Sequence, residues 1–240
     1  MPPHVVIVPG FAVDHYLRRA ADAARDRGLE VTLAPAPGSA SPGGVVGVQA
    51  SAAALVRHLE GGTQPLVLVG HSFGCHVVLH AAAALGSRVA AVVLVGPTVA
   101  PQHRGGVRLL LAWLSDLPQE RPRLAVEQVP DWVAAGPRRL VATYRSALLD
   151  RPEEVVGAVS ARVVVVRGER DPVCPSAWAQ ALAEAGGGRV VTIERGPHSW
   201  PFSRPQRFAD LVADVCTSGV EAAAAYPPRA GAWFSPEATG

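Results

Sequence analysis

The sequence predicts an α/β fold with a mostly parallel six-stranded sheet and helices on both faces. Three observations support this prediction. Strand-like and helix-like segments alternate, the strand-like segments are short and apolar, and one of them leads through a serine between glycines into a helix. Alternating strands and helices are typical of parallel sheets, and continuous apolar runs are typical of strands buried on both faces. The 240 residues are enough for one such domain with a sizeable core.

Six apolar segments, most of them rich in valine, are predicted to form the strands. The first ends at Pro9 and Gly10 and the third at Gly70, which are typical turn residues. The six segments cover residues 5–8, 29–33, 66–69, 89–95, 163–166 and 190–193.

The helices are predicted from apolar side chains at helical spacing. In the first helix, Leu17, Ala20 and Ala24 share one face. Asp14 can cap its start and Gly28 can end it. The last helix carries an apolar stripe at positions i, i+3, i+4 and i+7, formed by Phe208, Leu211, Val212 and Val215.

Residues 97–160 interrupt the alternation, because this stretch contains several prolines and helical patterns but no convincing strand. One helix carries an apolar stripe, and another is predicted near residues 138–149. The stripe consists of Val107, Leu110, Leu111, Leu114 and Leu117. An insertion between strands at the carboxyl edge of a parallel sheet would lie over the ligand-binding crevice, so we predict a cap there. Its apolar faces must meet another surface, and the crevice is one candidate.

These patterns divide the chain into three predicted parts. Residues 1–96 and 161–218 form the core, and residues 97–160 form the helical cap insertion. Residues 219–240 are rich in alanine, glycine and proline without a period, and they are predicted to form a flexible tail.

Composition argues against several classes of partner. The formal net charge is only +2, and the 22 basic residues, all arginine, form no basic run, so we expect no nucleic-acid partner. The three cysteines have no C-x-x-C spacing, which indicates neither a disulfide framework nor a zinc site and favours a cytoplasmic location. The first apolar run is too short for a signal peptide or a membrane span, so we expect no membrane partner.

Ser72 is the candidate nucleophile because it lies in the sequence Gly70-His71-Ser72-Phe73-Gly74, between an apolar run and an alanine-rich stretch. A strand, a sharp turn and a helix in this order form a nucleophile elbow, whose strained backbone lifts the serine hydroxyl above the sheet. Side chains two residues before and after the serine would collide in so tight a turn, which explains the glycines. The neighbouring His71, Cys75, His76 and His80 are interpreted as packing residues.

A serine hydroxyl needs a neighbouring base, usually a histidine held by a carboxylate. Asp171 follows the fifth predicted strand and His198 follows the sixth. Both therefore lie at the same sheet edge as Ser72, in the chain order serine, acid, histidine. Glu169 is the alternative acid, and the Asp171-Pro172 pair could instead form a simple turn.

With these residues the chain resembles the α/β-hydrolase superfamily over about residues 4–218. The resemblance depends on the serine motif, on the G-x-x-D-x-x-x-P stretch that ends at Pro175, and on His198 followed by Pro205 and Phe208. It implies an α/β-hydrolase fold with a cap, whose strands correspond to the later six of the usual eight. The resemblance does not identify the substrate.

The expected oxyanion hole consists of two backbone N–H groups that stabilise the negative oxygen of a tetrahedral intermediate. Phe73, the residue after the nucleophile, would supply one of them. The resemblance implies that the second follows a His-Gly pair after the first strand of this set. Here that pair is Pro9-Gly10, so Phe11 is the predicted donor and Ala12 the less favoured alternative.

The predicted activity is the hydrolysis of an ester or thioester of an apolar acyl or aromatic substrate, with Ser72, His198 and Asp171 as catalytic residues and no metal or organic cofactor. Trp113 and Trp132 in the cap are candidate substrate contacts, with structural packing as the alternative. Two other classes remain open. One is a lyase-type or carbon–carbon-cleaving enzyme with the same triad, and the other is a non-catalytic homologue that binds a small molecule.

Overall fold

A computed structural model describes residues 2–218, which fold around one six-stranded sheet. The strands are β1 (His4–Val8), β2 (Glu30–Leu33), β3 (Leu66–His71), β4 (Val89–Val95), β5 (Arg162–Gly168) and β6 (Arg189–Ile193). Their order is β2-β1-β3-β4-β5-β6, and every neighbouring pair is parallel. The predicted α/β class is confirmed, and the ends of each strand lie within two residues of the prediction.

The strand order reverses between β1 and β3, and this reversal determines where a site can form. The chain leaves β1 toward β2 on one side of the sheet and leaves β3 toward β4 on the other. The loops after β1 and β3 therefore diverge at the carboxyl edge, and ligands of open parallel sheets bind in such a crevice. Residues 9–12 follow β1 and Ser72 follows β3, so both lie at this point.

Helices cover both faces of the sheet, because successive strand residues point to opposite sides. One face is covered by α1 (Arg18–Arg25), α8 (Trp200–Ser203) and α9 (Pro205–Ser218). The other face is covered by α2 (Val48–Leu59), α3 (Gly74–Leu85) and α7 (Ser176–Ala185). The predicted stripe of α9 is fully buried at Phe208, Leu211, Val212 and Val215.

The predicted cap of the first helix is wrong. The helix begins at Arg18, with Leu17 at its N-cap and no side-chain hydrogen bond to the helix end. The Asp14 carboxylate instead accepts a hydrogen bond from the buried backbone N–H of Ala36, at 2.6 Å. A buried N–H without a partner costs about 1–3 kcal/mol of folding free energy. Bonding the Ala36 N–H therefore outweighs the gain from capping the helix with the same carboxylate.

The segment between β4 and β5 is helical, as the sequence predicts. It contains α4 (Val107–Asp116), α5 (Pro122–Leu149) and α6 (Pro152–Val156). Gly136 breaks α5 with a φ of +73°. The sequence prediction found only the part of α5 after this break, because Pro130 lies inside the first part and proline normally ends a helix.

The stripe of α4 does not behave as predicted. Val107, Leu111 and Leu114 are 67%, 58% and 43% exposed. The opposite face of the helix, with Leu109 and Trp113, points inward instead.

Among residues 2–218, no helix is long and apolar enough to cross a membrane. The tail predicted for residues 219–240 lies outside the described residues.

Candidate active site

Ser72 lies in the turn between β3 and α3, with a left-handed backbone conformation (φ +55°). The flanking glycines are sterically required. A Cβ atom on Gly70 would lie 2.6 Å from the carbonyl oxygen of Gly74, and one on Gly74 would lie 2.2 Å from the carbonyl oxygen of Val8. Side-chain carbons do not approach backbone this closely, so the turn has the steric constraint that the motif predicts.

The structure brings Ser72, His198 and Asp171 together at the carboxyl edge of the sheet. Ser72 Oγ lies within hydrogen-bond distance of His198 Nε2, at 3.0 Å, and His198 Nδ1–H donates to Asp171 Oδ2 at 2.9 Å. All three residues are buried. Glu169, the alternative acid, instead accepts a hydrogen bond from the backbone N–H of Arg195, so of these two carboxylates Asp171 is the one that contacts the imidazole ring of His198.

The charges around His198 favour its protonated form. Burial alone would lower the pKa of His198, but the charge and hydrogen bond of Asp171, with Asp116 and Glu120 nearby, raise the pKa to about 9. Burial opposes ionisation of Asp171 as well. The charge of His198 and hydrogen bonds from the N–H groups of Val173 and Cys174 outweigh it and hold the pKa of Asp171 below its usual value.

The loop after β1 brings a free backbone N–H to the same place. Within residues 2–218, the N–H groups of Phe11 and Phe73 donate no hydrogen bond, and both residues line the pocket beside Ser72. The N–H of Ala12, the alternative donor, is bonded to the carbonyl oxygen of Pro37 at 3.0 Å. Phe11 therefore remains the better candidate of the two.

Tyr16 and His71 form a buried link that the sequence analysis missed. The Gly10 N–H donates to the Tyr16 hydroxyl, which donates to His71 Nδ1, and His71 Nε2–H donates to the carbonyl oxygen of His198. Burial and the nearby His198 lower the pKa of His71 to about 3, so the ring is neutral. The link joins the loop after β1, the serine turn and the His198 loop, and Tyr16 supports the Gly10 position where the expected His-Gly pair is absent.

A second feature that the sequence analysis missed comes from the end of α4. Both carboxylate oxygens of Asp116 lie 3.2 Å from the backbone N of His198, and Glu120 Oε1 accepts from the N–H of Ser199 at 2.5 Å. Burial, with the adjacent Glu120, raises the pKa of Asp116 to about 8. The helical segment between β4 and β5 thus holds the backbone of the histidine loop through two acidic side chains.

A cavity of about 410 Å³ lies above Ser72 and is lined mainly by apolar and aromatic side chains. Helices α4 and α5 provide much of its wall, including Trp113 and Trp132, whose rings are 5.5 Å apart and nearly perpendicular. Trp132 also donates from its indole N–H to the carbonyl oxygen of Phe11 at 3.0 Å. Both predicted substrate contacts, Trp113 and Trp132, thus line the pocket, and Trp132 also fixes the loop after β1.

The other polar residues near the serine turn have structural partners. His76 and His80 both contact the carboxylate of Asp150, each at 2.8 Å, and His76 also bonds Thr98. The Cys75 thiol is buried, and burial raises its pKa well above its usual value. No group of His, Cys, Asp and Glu side chains in the described part of the chain is arranged to hold a metal ion.

Comparison with known families agrees with this fold. The model of the alpha/beta hydrolase family matches residues 5–211. The chain therefore belongs to the α/β hydrolase family, which supports a hydrolase-type enzyme. A search of curated proteins found no match.

Several solved structures share the fold at low sequence identity. A thermophilic esterase from Thermogutta terrifontis is 20% identical with a TM-score of 0.72, and the match covers 90% of each chain. NosK from Streptomyces actuosus is 22% identical with a TM-score of 0.69, over 92% of this chain and 100% of that one. A bromoperoxidase from Bacillus anthracis is 16% identical with a TM-score of 0.72, over 90% and 92%. At these identities the likeness concerns the fold alone.

Proposed function

We propose that the protein is a serine hydrolase that cleaves a carboxylic ester or thioester with an apolar acyl or aromatic group. The observation that carries this proposal is the hydrogen-bonded series Ser72, His198, Asp171 beneath an apolar pocket, with distances of 3.0 and 2.9 Å. A hydroxyl, a base and an orienting carboxylate in this order are the groups that acyl transfer to serine requires.

In the proposed reaction, His198 Nε2 takes the proton of Ser72 as Oγ attacks the substrate carbonyl carbon. The resulting oxyanion accepts hydrogen bonds from the N–H groups of Phe11 and Phe73, the second at the N-terminal end of α3, where the helix dipole favours negative charge. When the carbon–oxygen or carbon–sulfur bond breaks, His198 protonates the leaving alcohol or thiol. Water then repeats the sequence on the acyl-enzyme and releases the acid.

The pocket favours an apolar substrate but does not identify a particular compound. Its wall contains one cluster of aromatic rings from Phe11, Phe73 and Tyr144, and a pair of rings from Trp113 and Trp132. Such a surface binds a substrate through burial of apolar area, and it offers few polar groups that could select a charged acyl chain.

We also propose a small-molecule substrate and no cofactor. The three cysteines are free and buried, which supports a reducing, cytoplasmic location.

The test is turnover of a series of p-nitrophenyl esters and acyl thioesters by the wild type, Ser72→Ala and His198→Ala. We expect each substitution to lower kcat/KM by about 10⁴-fold or more, and the double variant to be little worse, because the two residues act as a unit. An unchanged melting temperature controls for folding.

Other outcomes separate the alternatives. Additive losses in the double variant would contradict a shared mechanism. Labelling of Ser72 by a fluorophosphonate without turnover of any ester or thioester would favour a lyase-type or carbon–carbon-cleaving enzyme. Absence of both labelling and turnover would favour a binding protein.

A further inference from the structure

The large aliphatic side chains that remain exposed are concentrated in one part of the molecule. Within residues 2–218, all of them belong to α4, the turn after it, or α5. They are Val107, Leu110, Leu111, Leu114, Leu117, Val126, Val129, Val133, Val141 and Leu149, and their exposed fractions range from 43% to 76%. Large exposed apolar patches on monomeric proteins mark interaction sites. We call this surface the outer face of α4 and α5.

Helical spacing places these side chains in two outward stripes. In α4, Val107, Leu111 and Leu114 lie at i, i+4 and i+7; in α5, Val126, Val129 and Val133 lie at i, i+3 and i+7. The inward sides of the two helices line the pocket and meet through the two tryptophan rings. The stripes therefore lie on the exposed sides of the two helices, which do not line the pocket.

The more exposed charged side chains of this surface are all basic. Every exposed charged residue between positions 101 and 149 is an arginine: Arg108, Arg121, Arg123, Arg138 and Arg145. The acidic residues of the same stretch, Asp116, Glu120, Glu127 and Asp131, are all wholly or partly buried. Arg108 precedes Leu111 by three positions, and Arg123 precedes Val126 in the same way. Residues three apart are neighbours on a helix, so the arginines flank the apolar stripes.

We propose that the outer face of α4 and α5 docks on the surface of an anionic lipid bilayer. Helices that lie in a membrane interface combine an apolar stripe with flanking arginines: the aliphatic side chains enter the acyl region and the guanidinium groups reach the phosphates. Both parts are present here on two adjacent helices. This contact is peripheral and differs from a membrane span. Such docking would depart from our expectation from the sequence that the protein has no membrane partner.

The charge pattern also argues against the other possible occupants. Two copies of the chain that paired through this face would bring like charges together, with no exposed acid on the face to compensate them. An acidic protein would match the charge but would need a surface shaped to receive two convex ridges, whereas a fluid bilayer adapts to them. Leu110 and Val141 are exposed and also line the pocket, so a docked bilayer would adjoin the pocket mouth.

Binding to vesicles tests the proposal directly. The full chain is incubated with vesicles of phosphatidylglycerol or phosphatidylcholine, and the bound fraction is measured by sedimentation. We expect binding to phosphatidylglycerol that weakens at high salt, and much weaker binding to phosphatidylcholine. The variant Leu111→Gln/Val126→Gln/Val133→Gln should lose binding. Replacing Arg108, Arg123 and Arg138 with Gln should weaken it about 5-fold for each arginine, or about 100-fold together.

Matched controls separate surface effects from folding and from catalysis. Arg57→Gln changes an exposed arginine near the C-terminal end of α2, which leads to the opposite edge of the sheet, and should leave binding unchanged. Ser72→Ala should bind vesicles like the wild type, so binding is judged independently of the proposed hydrolysis. The glutamine variants should keep the melting temperature and the turnover of a short soluble ester.

Several results would overturn the proposal. Wild-type protein that does not bind phosphatidylglycerol vesicles, or variants that bind as well as the wild type, would contradict it. A dimer in light scattering that disappears in the glutamine variant would identify a second copy as the occupant. Vesicle binding that appears only after removal of residues 219–240 would mean that the C-terminal segment covers the face.

Discussion

Helices α4 and α9 carry the same apolar spacing in the sequence and have opposite environments in the fold. The stripe of α9, from Phe208 to Val215, is fully buried against the sheet, whereas the stripe of α4, from Val107 to Leu114, faces outward. Periodicity predicts that a helix forms and which residues share a face. It does not determine what covers that face, since this depends on where the chain places the helix relative to the sheet.

The difference follows from the two regions to which the helices belong. Helix α9 packs on a sheet whose apolar surface must be covered, and it lies beside α1 as part of one face. Helix α4 lies above the carboxyl edge, where its inward residues need only enclose a pocket. The core thus supplies the reacting groups proposed above, while the helices between β4 and β5 supply walls, supporting contacts and an outer surface.

The largest effect that tests this division is expected in the core. Asp171→Asn should lower kcat by about 10²- to 10⁴-fold with unchanged stability, because the amide holds His198 in the wrong tautomer. Glu169→Gln is the matched control and should keep kcat within a few-fold. Steady-state kinetics and thermal unfolding are the measurements. Full activity of Asp171→Asn with loss in Glu169→Gln would mean that the other carboxylate is the acid.

The same substitution in the two helices tests the comparison itself. Leu211→Ala in α9 removes a fully buried side chain and should lower the free energy of unfolding by about 2–5 kcal/mol. Leu111→Ala in α4 removes one that is 58% exposed and should change it by no more than about 0.5 kcal/mol. Denaturant unfolding measures both. Equal destabilisation would show that the α4 stripe is covered in solution.

The two tryptophans should differ in what they control. Trp113→Ala enlarges the pocket and should change the preference for acyl size by about 10-fold. Each methylene group that a pocket accommodates changes the free energy of transition-state binding by about 1–3 kcal/mol. Trp132→Phe keeps a ring but removes the hydrogen bond to Phe11, so it should lower kcat for all substrates. Competition between short and long esters distinguishes them, with Ser115→Ala as the surface control on α4. A uniform loss in Trp113→Ala would indicate packing alone.

The smallest expected effects concern the acidic side chains that hold the histidine loop. His198 must be neutral to act as a base, so a pKa of about 9 predicts that kcat/KM rises with pH up to that value. Asp116→Asn keeps an acceptor for the His198 N–H but removes a charge that favours protonated His198, so this midpoint should move to lower pH. Asp116→Ala leaves the N–H unpaired and should lower stability by about 1–3 kcal/mol. A pH profile that Asn does not move would restrict Asp116 to a structural role.

The proposed reacting groups could be found from the sequence because each has a local signal. Ser72 has a strand, two glycines and a helix around it, and Asp171 and His198 each follow a strand whose end must lie at the same edge. Tyr16 and Asp116 have no such signal. They are 55 and 82 positions away from the residues that they support, His71 and His198, and only packing brings them together.

The parallel α/β architecture, the serine turn and the sheet edge at which the polar groups meet can all be predicted from the sequence. Strand burial, helix periodicity and tight-turn sterics depend on residues that are close together in the chain, so the sequence alone is enough to predict them. Long-range packing is what brings Asp14 to the loop after β2, and Asp116 and Glu120 to the His198 loop. Long-range packing also leaves the α4 stripe facing outward. The groups that pair with buried polar atoms, and the side chains that pack against an apolar helix face, come from distant parts of the chain, so local sequence patterns do not predict them.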